Sequence, residues 1–184
     1  MSKLTQSPFT VLVDSAESHP FTFQGIRADQ RHGGQVIEIA SRHESLGRHP
    51  HSLGDYSAEG LVGVAHIERK SMEDAWGTVL GWESPAERAK HKTGRRDRFK
   101  KELENLAKIP CGVVVVEATL GDCIRHCPSW GKKPRHENAK IFSRSVSAFM
   151  QDYKTPWVFC DSRRHAEIVT YRWLFRAWEK RVAA

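Results

Sequence analysis

Short apolar runs alternate along the chain with longer segments of helical period. The clearest run, at 112–117, contains four consecutive valines and is apolar almost throughout, as central strands of parallel sheets are. Other short apolar runs predict four further strands, at 9–13, 36–40, 61–69 and 156–161. Apolar residues three or four apart predict three helices, at 71–82, 138–153 and 163–181. Strands alternating with helices predict an α/β fold in which helices flank a central mixed β-sheet.

Polar residues mark where several of these elements begin. Ser71 and Ser162 each stand directly before a helical pattern, where a serine hydroxyl caps a helix by accepting from a backbone N–H. Glu73 and Asp74 follow in the first turn, where the helix dipole favours negative charge. The segment 42–52 holds three histidines, two arginines and a proline, and it predicts an exposed loop.

The most basic part of the chain is 90–101, with seven Lys or Arg and one acidic residue. The start of the surrounding segment lacks an apolar period, which predicts a mobile basic loop at about 84–97, leading into a helix that ends at Leu106. Such clusters are typical of contacts with the phosphate backbone of DNA, although a solvated loop has the same composition. The candidate DNA-binding residues are Lys90, Lys92, Arg95, Arg96, Arg98, Lys100 and Lys101.

Composition limits the class of protein. A chain of 184 residues, 39% hydrophobic and 28% charged, is typical of one globular domain. Lys and Arg number 29 against 22 acidic residues, and the resulting net charge of +7 favours a polyanionic partner. The N-terminus lacks the apolar stretch of a signal peptide, and no apolar run approaches the ~20 residues of a membrane span. We therefore expect a soluble cytoplasmic protein.

The cysteines offer a second, weaker candidate site. Cys123 and Cys127 are four residues apart on a predicted helix, with His126 between them, so a zinc site is one interpretation. A second ligand pair is not evident in the sequence, which favours the alternative of buried free thiols in a reducing cytosol.

The strongest candidate chemistry lies at the end of the 61–69 strand. Because alternate side chains of a strand share a face, Glu68 and Lys70 point the same way and Arg69 points to the opposite face. Asp55 is far enough upstream for a strand or hairpin to return it beside Glu68. Two carboxylates, with backbone carbonyls and water, suit Mg²⁺ or Mn²⁺, and a neighbouring lysine can orient or deprotonate an attacking water. Taken alone, Glu-x-Lys is usually a solvated ion pair.

In their order along the chain, these residues resemble the nuclease domain of the XPF-type structure-specific endonucleases, in the PD-(D/E)xK superfamily. The matching motifs are V-D-x-x-E at 13–17, G-D-Y at 54–56, I-E-R-K-S-x-x-D at 67–74, R-F-x-x-E at 98–102 and V-V-V-V-E at 113–117. They run from Val11 to Glu117, and the resemblance extends to the last helix. It implies one nuclease domain over 1–184 with a restriction-endonuclease-like core.

The resemblance also implies a function. Asp55 and Glu68 would bind the catalytic Mg²⁺ or Mn²⁺ with the backbone carbonyl of Arg69, and Lys70 would position or activate water. The implied activity is that of a metal-dependent DNA endonuclease acting on branched DNA or on DNA in repair and recombination.

Further positions match the family motifs with supporting roles. Asp14 and Glu17 match an acidic pair that lines the same site. Asp74 matches the last acid, which would hold Lys70, Arg69 or the helix start in place. Arg98 matches an arginine near the site, whereas Tyr56 is interpreted as packing.

The sequence departs from the family pattern in two places. Ala16 occupies a position where the family usually has arginine, so that arginine's role at the phosphate is missing or supplied elsewhere. The 184 residues also include neither a helicase region nor the tandem helix-hairpin-helix module that commonly follows. A preference for forks or flaps therefore does not follow from the resemblance.

Two other functional hypotheses remain, together with two about assembly. Because the family pairs active with inactive subunits, the chain is alternatively a non-catalytic DNA-binding scaffold, although its E-R-K residues are intact. A restriction-like or RNA-acting nuclease is the third hypothesis. Aromatic residues spread around more than one face of the last helix, where core packing accounts for some and a homodimer contact for the rest; they are Tyr171, Trp173, Phe175 and Trp178. A partner protein that supplies substrate recognition is the other hypothesis about assembly.

Overall fold

The computed structural model describes residues 4–48, 54–130 and 132–183. Its strands are β1 (Val11–Asp14), β2 (Ser41–Glu44), β3 (Tyr56–Ala58), β4 (Ala65–Lys70), β5 (Cys111–Val116) and β6 (Trp157–Phe159). Its α-helices are α1 (Met72–Leu80), α2 (Pro85–Ala89), α3 (Arg95–Leu106), α4 (Leu120–Arg125), α5 (Arg135–Tyr153) and α6 (Arg163–Val182). Two short 3₁₀ turns lie at Gln30–His32 and Leu46–Arg48.

The strands form one mixed sheet in the order β2-β1-β3-β4-β5-β6. The strands β4, β5 and β6 run parallel, β3 is antiparallel to both of its neighbours, and β1 is parallel to β2. This arrangement confirms the predicted α/β class with a central mixed sheet, and it places the apolar strand β5 between two parallel neighbours, as its four valines predict.

The alternation of side chains along β5 divides the core into two layers. Val113 and Val115 pack in the layer that contains α6, whereas Val114 and Val116 pack in the layer that contains α1, α3 and α5. Because β4 pairs with β5 in register, with Glu68 opposite Val114, the same alternation decides which layer each β4 side chain faces.

The four aromatic residues of α6 are explained by packing in the α6 layer. Tyr171 and Phe175 are buried, and Trp173 and Trp178 are partly buried against the same core. The indole N–H of Trp173 also donates to the backbone carbonyl of Cys111 at 2.9 Å. These aromatic side chains therefore need no second chain to cover them, and a dimer stays a prediction without this support.

Several predicted boundaries are wrong. The strand predicted at 36–40 lies instead at β2, inside the segment predicted as a loop; positions 49–52 of that loop lie outside the described residues. The side chains of β2 are largely exposed because it is an edge strand that pairs only with β1, so it needs no apolar period. Its β-structure comes from backbone pairing with β1 and not from its side chains.

The hairpin of β3 and β4 also differs from the prediction. Strand β4 begins at Ala65 after a turn, later than predicted, and β3 was not predicted as a separate strand.

The prediction of a basic loop at 84–97 is also wrong, because both ends of that segment are helical. Ser84 and Glu87 form a reciprocal capping box that starts α2, and Pro85 occupies its first turn. Every residue of α2 is exposed, which is why no apolar period revealed this helix. Helix α3 begins at Arg95, so only the short segment between the two helices is irregular.

The capping predictions and the predicted burial of Cys123 and Cys127 agree with the structure, but α4 ends at Arg125, so Cys127 lies beyond the helix predicted to carry both. The hydroxyls of Ser71 and Ser162 accept from the third residue of α1 and α6, respectively. Cys123 is free and buried in α4, and burial raises its pKa to about 12, which keeps the thiol protonated. In the part of the chain that the structure describes, no helix is long and apolar enough to cross a membrane.

Candidate active site

Strand β4 ends by presenting charged side chains to both layers of the fold. Glu68 and Lys70 lie on the side of Val114 and Val116 and face α1 and α3, whereas Arg69 faces the layer of α6. This is the orientation that the strand period predicts. The two sides of the strand end therefore hold different partners, although Glu17 and Arg69 also line one cleft together with Asp55, Lys70 and Asp74.

A glycine–aspartate pair brings a carboxylate to this strand end. Gly54 has a φ of 135°, and a Cβ at this position would lie 2.8 Å from the carbonyl oxygen of Ile67 in β4. Only glycine therefore allows this close approach of the chain to β4. The next backbone N–H, that of Asp55, donates to the same Ile67 carbonyl at 2.8 Å. The Asp55 carboxylate then accepts from the Arg69 N–H at 2.7 Å. Asp55 is thus fixed against β4 beside Glu68, as predicted.

Lys70 is held between carboxylates on the α3 side. Its ammonium lies 2.6 Å from Glu68 Oε1 and 3.1 Å from Asp74 Oδ2, and it stands over the ring of Phe99 at 5.2 Å. Burial alone would lower the pKa of Lys70, but Glu68, Asp74 and Glu102 together raise it. Lys70 is therefore a protonated cation in this arrangement, suited to positioning and charge balance and not to accepting a proton.

Glu102 is a site residue that the sequence interpretation missed. It lies on α3, three residues after Phe99, and lines one cleft with Asp55, Glu68 and Lys70. The signal for it was present, because the R-F-x-x-E motif places Phe99 and this glutamate on the same face of a helix. Together, Asp55, Glu68, Lys70, Asp74 and Glu102 form what we call the acidic cleft.

The acidic cleft has more negative charge than its cations balance. Among the described residues, its four carboxylates meet the ammonium of Lys70 and the guanidinium of Arg95, while the nearby Arg98 is paired with Glu83. Burial and the charge of Glu68 raise the pKa of Asp55 well above its usual range. Burial and Glu68 raise the pKa of Glu102 in the same way. Two partly uncompensated carboxylates are the feature that a bound cation would relieve.

Asp74 connects the acidic cleft to the basic segment. Its carboxylate accepts from Lys70 and from Arg95, and its backbone N–H donates to Ser71 at the start of α1. Arg95 reaches Asp74 across Gly77, where a Cβ would approach its guanidinium to 2.5 Å. Burial would raise the pKa of Asp74, but Lys70 and Arg95 outweigh it and hold the pKa below the usual value.

On the opposite side of β4, Arg69 belongs to a balanced cluster that we call the arginine clamp, formed by Arg69, Arg163, Glu17 and Glu117. Arg69 donates to Glu17 at 3.0 Å and to Glu117 at 2.7 Å, and Arg163 donates to Glu117 at 2.7 Å. The aromatic ring of Phe21 lies against both guanidinium groups, 5.4 Å from that of Arg69 and 4.9 Å from that of Arg163. The arginine clamp ties α6 and the 14–21 segment to the strand ends.

Asp14 lies at the place that its motif implies, and it also holds the local backbone. Both of its carboxylate oxygens accept backbone N–H groups, from Ala16 and from Leu46, each at 2.8 Å. It lines the cleft beside Asp55 and at the same time fixes the turn that carries Ala16. Tyr56 is buried and its hydroxyl accepts from the Phe21 N–H, in agreement with the packing interpretation.

The seven basic candidates divide into two groups. Lys90, Lys92 and Lys101 are exposed and Lys100 is half-buried, whereas three arginines are engaged with the protein. Arg95 is paired with Asp74; Arg96 donates to Ser145 at 3.0 Å and lies over Phe149; Arg98 donates to the Thr93 carbonyl at 2.7 Å. The arginines thus hold α3 in place, and the lysines remain available to an external partner.

A divalent cation fits the donor chemistry of this site in part. Asp55 and Glu68 supply hard carboxylate oxygens on one side of β4, and their mutual repulsion favours a cation between them. Against this, the described residues contain no ready-made group of three or more His, Cys, Asp or Glu side chains around one point. A metal held here would therefore take its remaining ligands from backbone carbonyls, water or substrate.

Comparisons with known proteins support the fold. The chain is similar to the structure of XPF from Aeropyrum pernix, with a TM-score of 0.54 and 13% sequence identity over 95% of this chain and 67% of that one. It is also similar to XPF from Aeropyrum pernix in complex with DNA, with a TM-score of 0.53 and 13% identity over 94% of this chain and 66% of that one. No family model and no curated protein matches the sequence. The fold is thus like that of the XPF nuclease, and at this identity the likeness concerns the fold alone.

Proposed function

We propose that this protein is a metal-dependent DNA endonuclease that hydrolyses phosphodiester bonds in branched or repair and recombination DNA. The observation that carries the proposal is the surplus of carboxylates in the acidic cleft, beside a protonated Lys70, in a fold similar to a protein solved in complex with DNA. A buried charge surplus costs stability, and a binding or catalytic site gives a reason to retain it.

Asp55 and Glu68 are the proposed ligands of Mg²⁺ or Mn²⁺, together with the backbone carbonyl of Arg69. A cation bound there supplies polarisation of the phosphate and a water of lowered pKa. Lys70 is the proposed group that orients the attacking water and balances charge on the phosphate. Asp74 positions Lys70 through the 3.1 Å ion pair, and the arginine clamp fixes the backbone of β4 from the other side.

The DNA backbone is the proposed partner of the exposed lysines. Lys90 and Lys92 lie between α2 and α3, and Lys101 lies on the same helix as Glu102. Contacts from such lysines are made to phosphates, so they give salt-dependent affinity with little sequence preference. Glu17 and Asp14 act indirectly in this proposal, by holding Arg69 and the turn beside Asp55.

A cleavage assay tests the proposal directly. Wild-type protein is incubated with linear single-stranded, linear duplex and branched DNA, with Mg²⁺, with Mn²⁺ or with a chelator. We expect cleavage that requires the cation, and a loss of about 10²–10³-fold or more in the Lys70→Ala and Asp55→Ala variants, because each removes a charge at the reacting phosphate. Lys108→Ala and Asp152→Ala, which change exposed residues of the same types, are the matched controls.

Each outcome of the assay has a distinct meaning. Undiminished cleavage by both Lys70→Ala and Asp55→Ala would overturn the proposed site. Retained DNA binding without cleavage of any substrate, by a folded wild-type protein, would instead support the non-catalytic scaffold. Cleavage of RNA in preference to every DNA would move the assignment to the RNA-acting alternative.

A further inference from the structure

Two tryptophans form a partly exposed stacked pair just beyond the C-terminal end of α1. Trp82 follows the C-cap of α1, and Trp130 lies between α4 and α5; their ring centroids are 5.2 Å apart and the planes differ by 20°. Trp82 packs against the core with one face, whereas Trp130 keeps 49% of its surface exposed. An indole held flat on another indole, with half of its surface open to solvent, presents a ready-made face to a ligand.

The segment that leads to Trp130 is anchored to α1 and α5, and a local turn bond follows Trp130. The indole N–H of Trp76 donates to the Cys123 carbonyl at 2.9 Å, and Asn138 Nδ2 donates to the Pro128 carbonyl at 3.1 Å. The backbone N–H of Lys133 donates to the Trp130 carbonyl at 3.3 Å. The position of Trp130 is thus fixed by the fold before any ligand binds, which lowers the entropic cost of binding.

The surroundings of the pair are strongly basic. The segment 125–136 contains four Lys or Arg, two histidines and no acidic residue. Lys132 and Lys133 are exposed two and three residues after Trp130. On the other side, Glu83, next to Trp82, holds Arg88 at 3.3 Å. Charge complementarity therefore points to a polyanion, and the open aromatic face points to a polyanion that carries flat rings.

The pair is connected to the acidic cleft by one side chain. Arg95 donates to the Trp82 carbonyl at 3.3 Å with one nitrogen and pairs with Asp74 through the other, and Asp74 contacts Lys70. Arg95 thus joins the backbone at Trp82, which supports Trp130, to the carboxylate that positions Lys70.

We propose that Trp130, supported by Trp82, is a stacking platform for an unpaired base of single-stranded DNA, with Lys132 and Lys133 on the adjacent phosphates. The proposal rests on the proposed function for the identity of the nucleic acid and deepens it: the substrate has a single-stranded part next to the cut. Duplex DNA cannot use the platform, because its bases are already stacked on each other. Stacking of this kind accepts any base.

A binding assay in a chelating buffer tests the platform without cleavage. The probes are a labelled oligothymidylate of about twelve nucleotides, an abasic oligomer of the same length, and a duplex, all followed by fluorescence anisotropy. We expect Trp130→Ala to weaken binding of oligothymidylate about tenfold and to leave binding of the abasic oligomer unchanged, because only the former has bases to stack. Met150→Ala, which changes another exposed apolar residue, is the matched control.

The comparison of Trp130→Phe with Trp130→Leu keeps the test decisive if the alanine variant does not fold. We expect the phenylalanine variant to bind oligothymidylate more tightly than the leucine variant, since only it retains a ring. Equal affinity of these two, an equal loss on the abasic oligomer, or an effect confined to duplex would overturn the platform. A Trp130 surface that binds another protein would likewise show no dependence on bases.

The test also separates this inference from the nuclease proposal. If the protein binds DNA in a base-dependent way but cleaves no substrate, the platform is supported and the proposed catalysis is contradicted. The protein would then be a single-stranded DNA-binding protein. If the protein cleaves DNA in a metal-dependent way but its Trp130→Ala variant binds oligothymidylate normally, the nuclease proposal is supported and the platform is contradicted.

Discussion

The two sides of the β4 end contain the same kinds of charged side chain in different proportions. In the arginine clamp, two guanidinium groups meet two carboxylates, and Phe21 covers them. In the acidic cleft, four carboxylates meet two cations, and burial raises the pKa of Asp55 and of Glu102. The first arrangement satisfies its own charges, and the second leaves negative charge unsatisfied.

This difference separates a structural cluster from a candidate site. Glu68 belongs to the acidic cleft and its neighbour Arg69 to the arginine clamp. The difference in charge balance between the two clusters therefore does not come from their location along the chain. Removing one member of a balanced buried cluster leaves its partners uncompensated and costs stability, whereas a surplus of like charge costs stability until a ligand of opposite charge binds. The comparison therefore predicts opposite effects on stability when one charge is removed from each side.

The largest effect is expected when the arginine clamp loses its central residue. In Arg69→Met, the mostly buried carboxylates of Glu17 and Glu117 lose their main partner, and we expect the free energy of unfolding to fall by about 3–5 kcal/mol. Urea unfolding measures the loss. Arg42→Met, which removes an exposed pair with Glu44 on β2, is the control and should change stability by less than about 1 kcal/mol. Equal losses in the two variants would show that the clamp is not a structural element.

An effect of the opposite sign is expected in the acidic cleft. In Asp55→Asn, the amide oxygen can still accept the Arg69 N–H while the repulsion from Glu68 disappears. We expect the free energy of unfolding without metal to rise by about 1–2 kcal/mol, because an uncompensated buried charge costs several. The pKa of Asp55 is raised in the folded state, so the wild type gains stability as the pH falls through this raised value, and the advantage of the variant then disappears.

Titration with Mn²⁺ or Mg²⁺ provides a second test of the acidic cleft as a cation site. Thermal unfolding of the wild type should shift upward as the cation is titrated, because binding to the folded state adds stability by mass action. The Asp55→Asn variant should show little or no shift. A destabilised variant, or equal shifts in both proteins, would contradict the interpretation of the acidic cleft as a cation site.

The sequence predicted those parts of the site that depend on strand period and turn geometry. The opposite directions of Glu68 and Arg69 follow from pleating, and the return of Asp55 follows from its distance upstream, whereas the φ of 135° at Gly54 that makes this approach close is seen only in the structure. The R-F-x-x-E motif places Glu102 on the same helix face as Phe99, but that this face lines the acidic cleft depends on the packing of α3 against the sheet. The roles of Arg95 and Arg96 were also obscure, because their partners lie on α1 and α5.

The fold was predictable where side chains determine the element. The valines of β5 and the serine caps of α1 and α6 are examples. Strand β2 is held by backbone pairing at the sheet edge and helix α2 by its capping box, so neither has an apolar pattern to read. Longer elements failed only in their boundaries: α5 begins at Arg135, three residues earlier than predicted.

The smallest effect is expected at Asp74, which is half-exposed and lies where the acidic cleft is locally balanced. Lys70 and Arg95 hold its pKa below the usual value, so its contribution is present above about pH 4 and is lost as the pH falls through the lowered folded value. We expect Asp74→Asn to lower the free energy of unfolding by less than about 1 kcal/mol at neutral pH, a size that allows for solvent screening, and by progressively less as the pH falls below about 4. Asp97→Asn is the matched control, because Asp97 also lies in the first turn of a helix but is 65% exposed and lies 3.7 Å from its lysine. Urea unfolding at several pH values measures both variants. A loss in Asp74→Asn that persists at acid pH would show that the effect does not depend on the charge of the carboxylate. A loss of the same size in Asp97→Asn would assign the effect to the helix dipole and not to the ion pairs with Lys70 and Arg95.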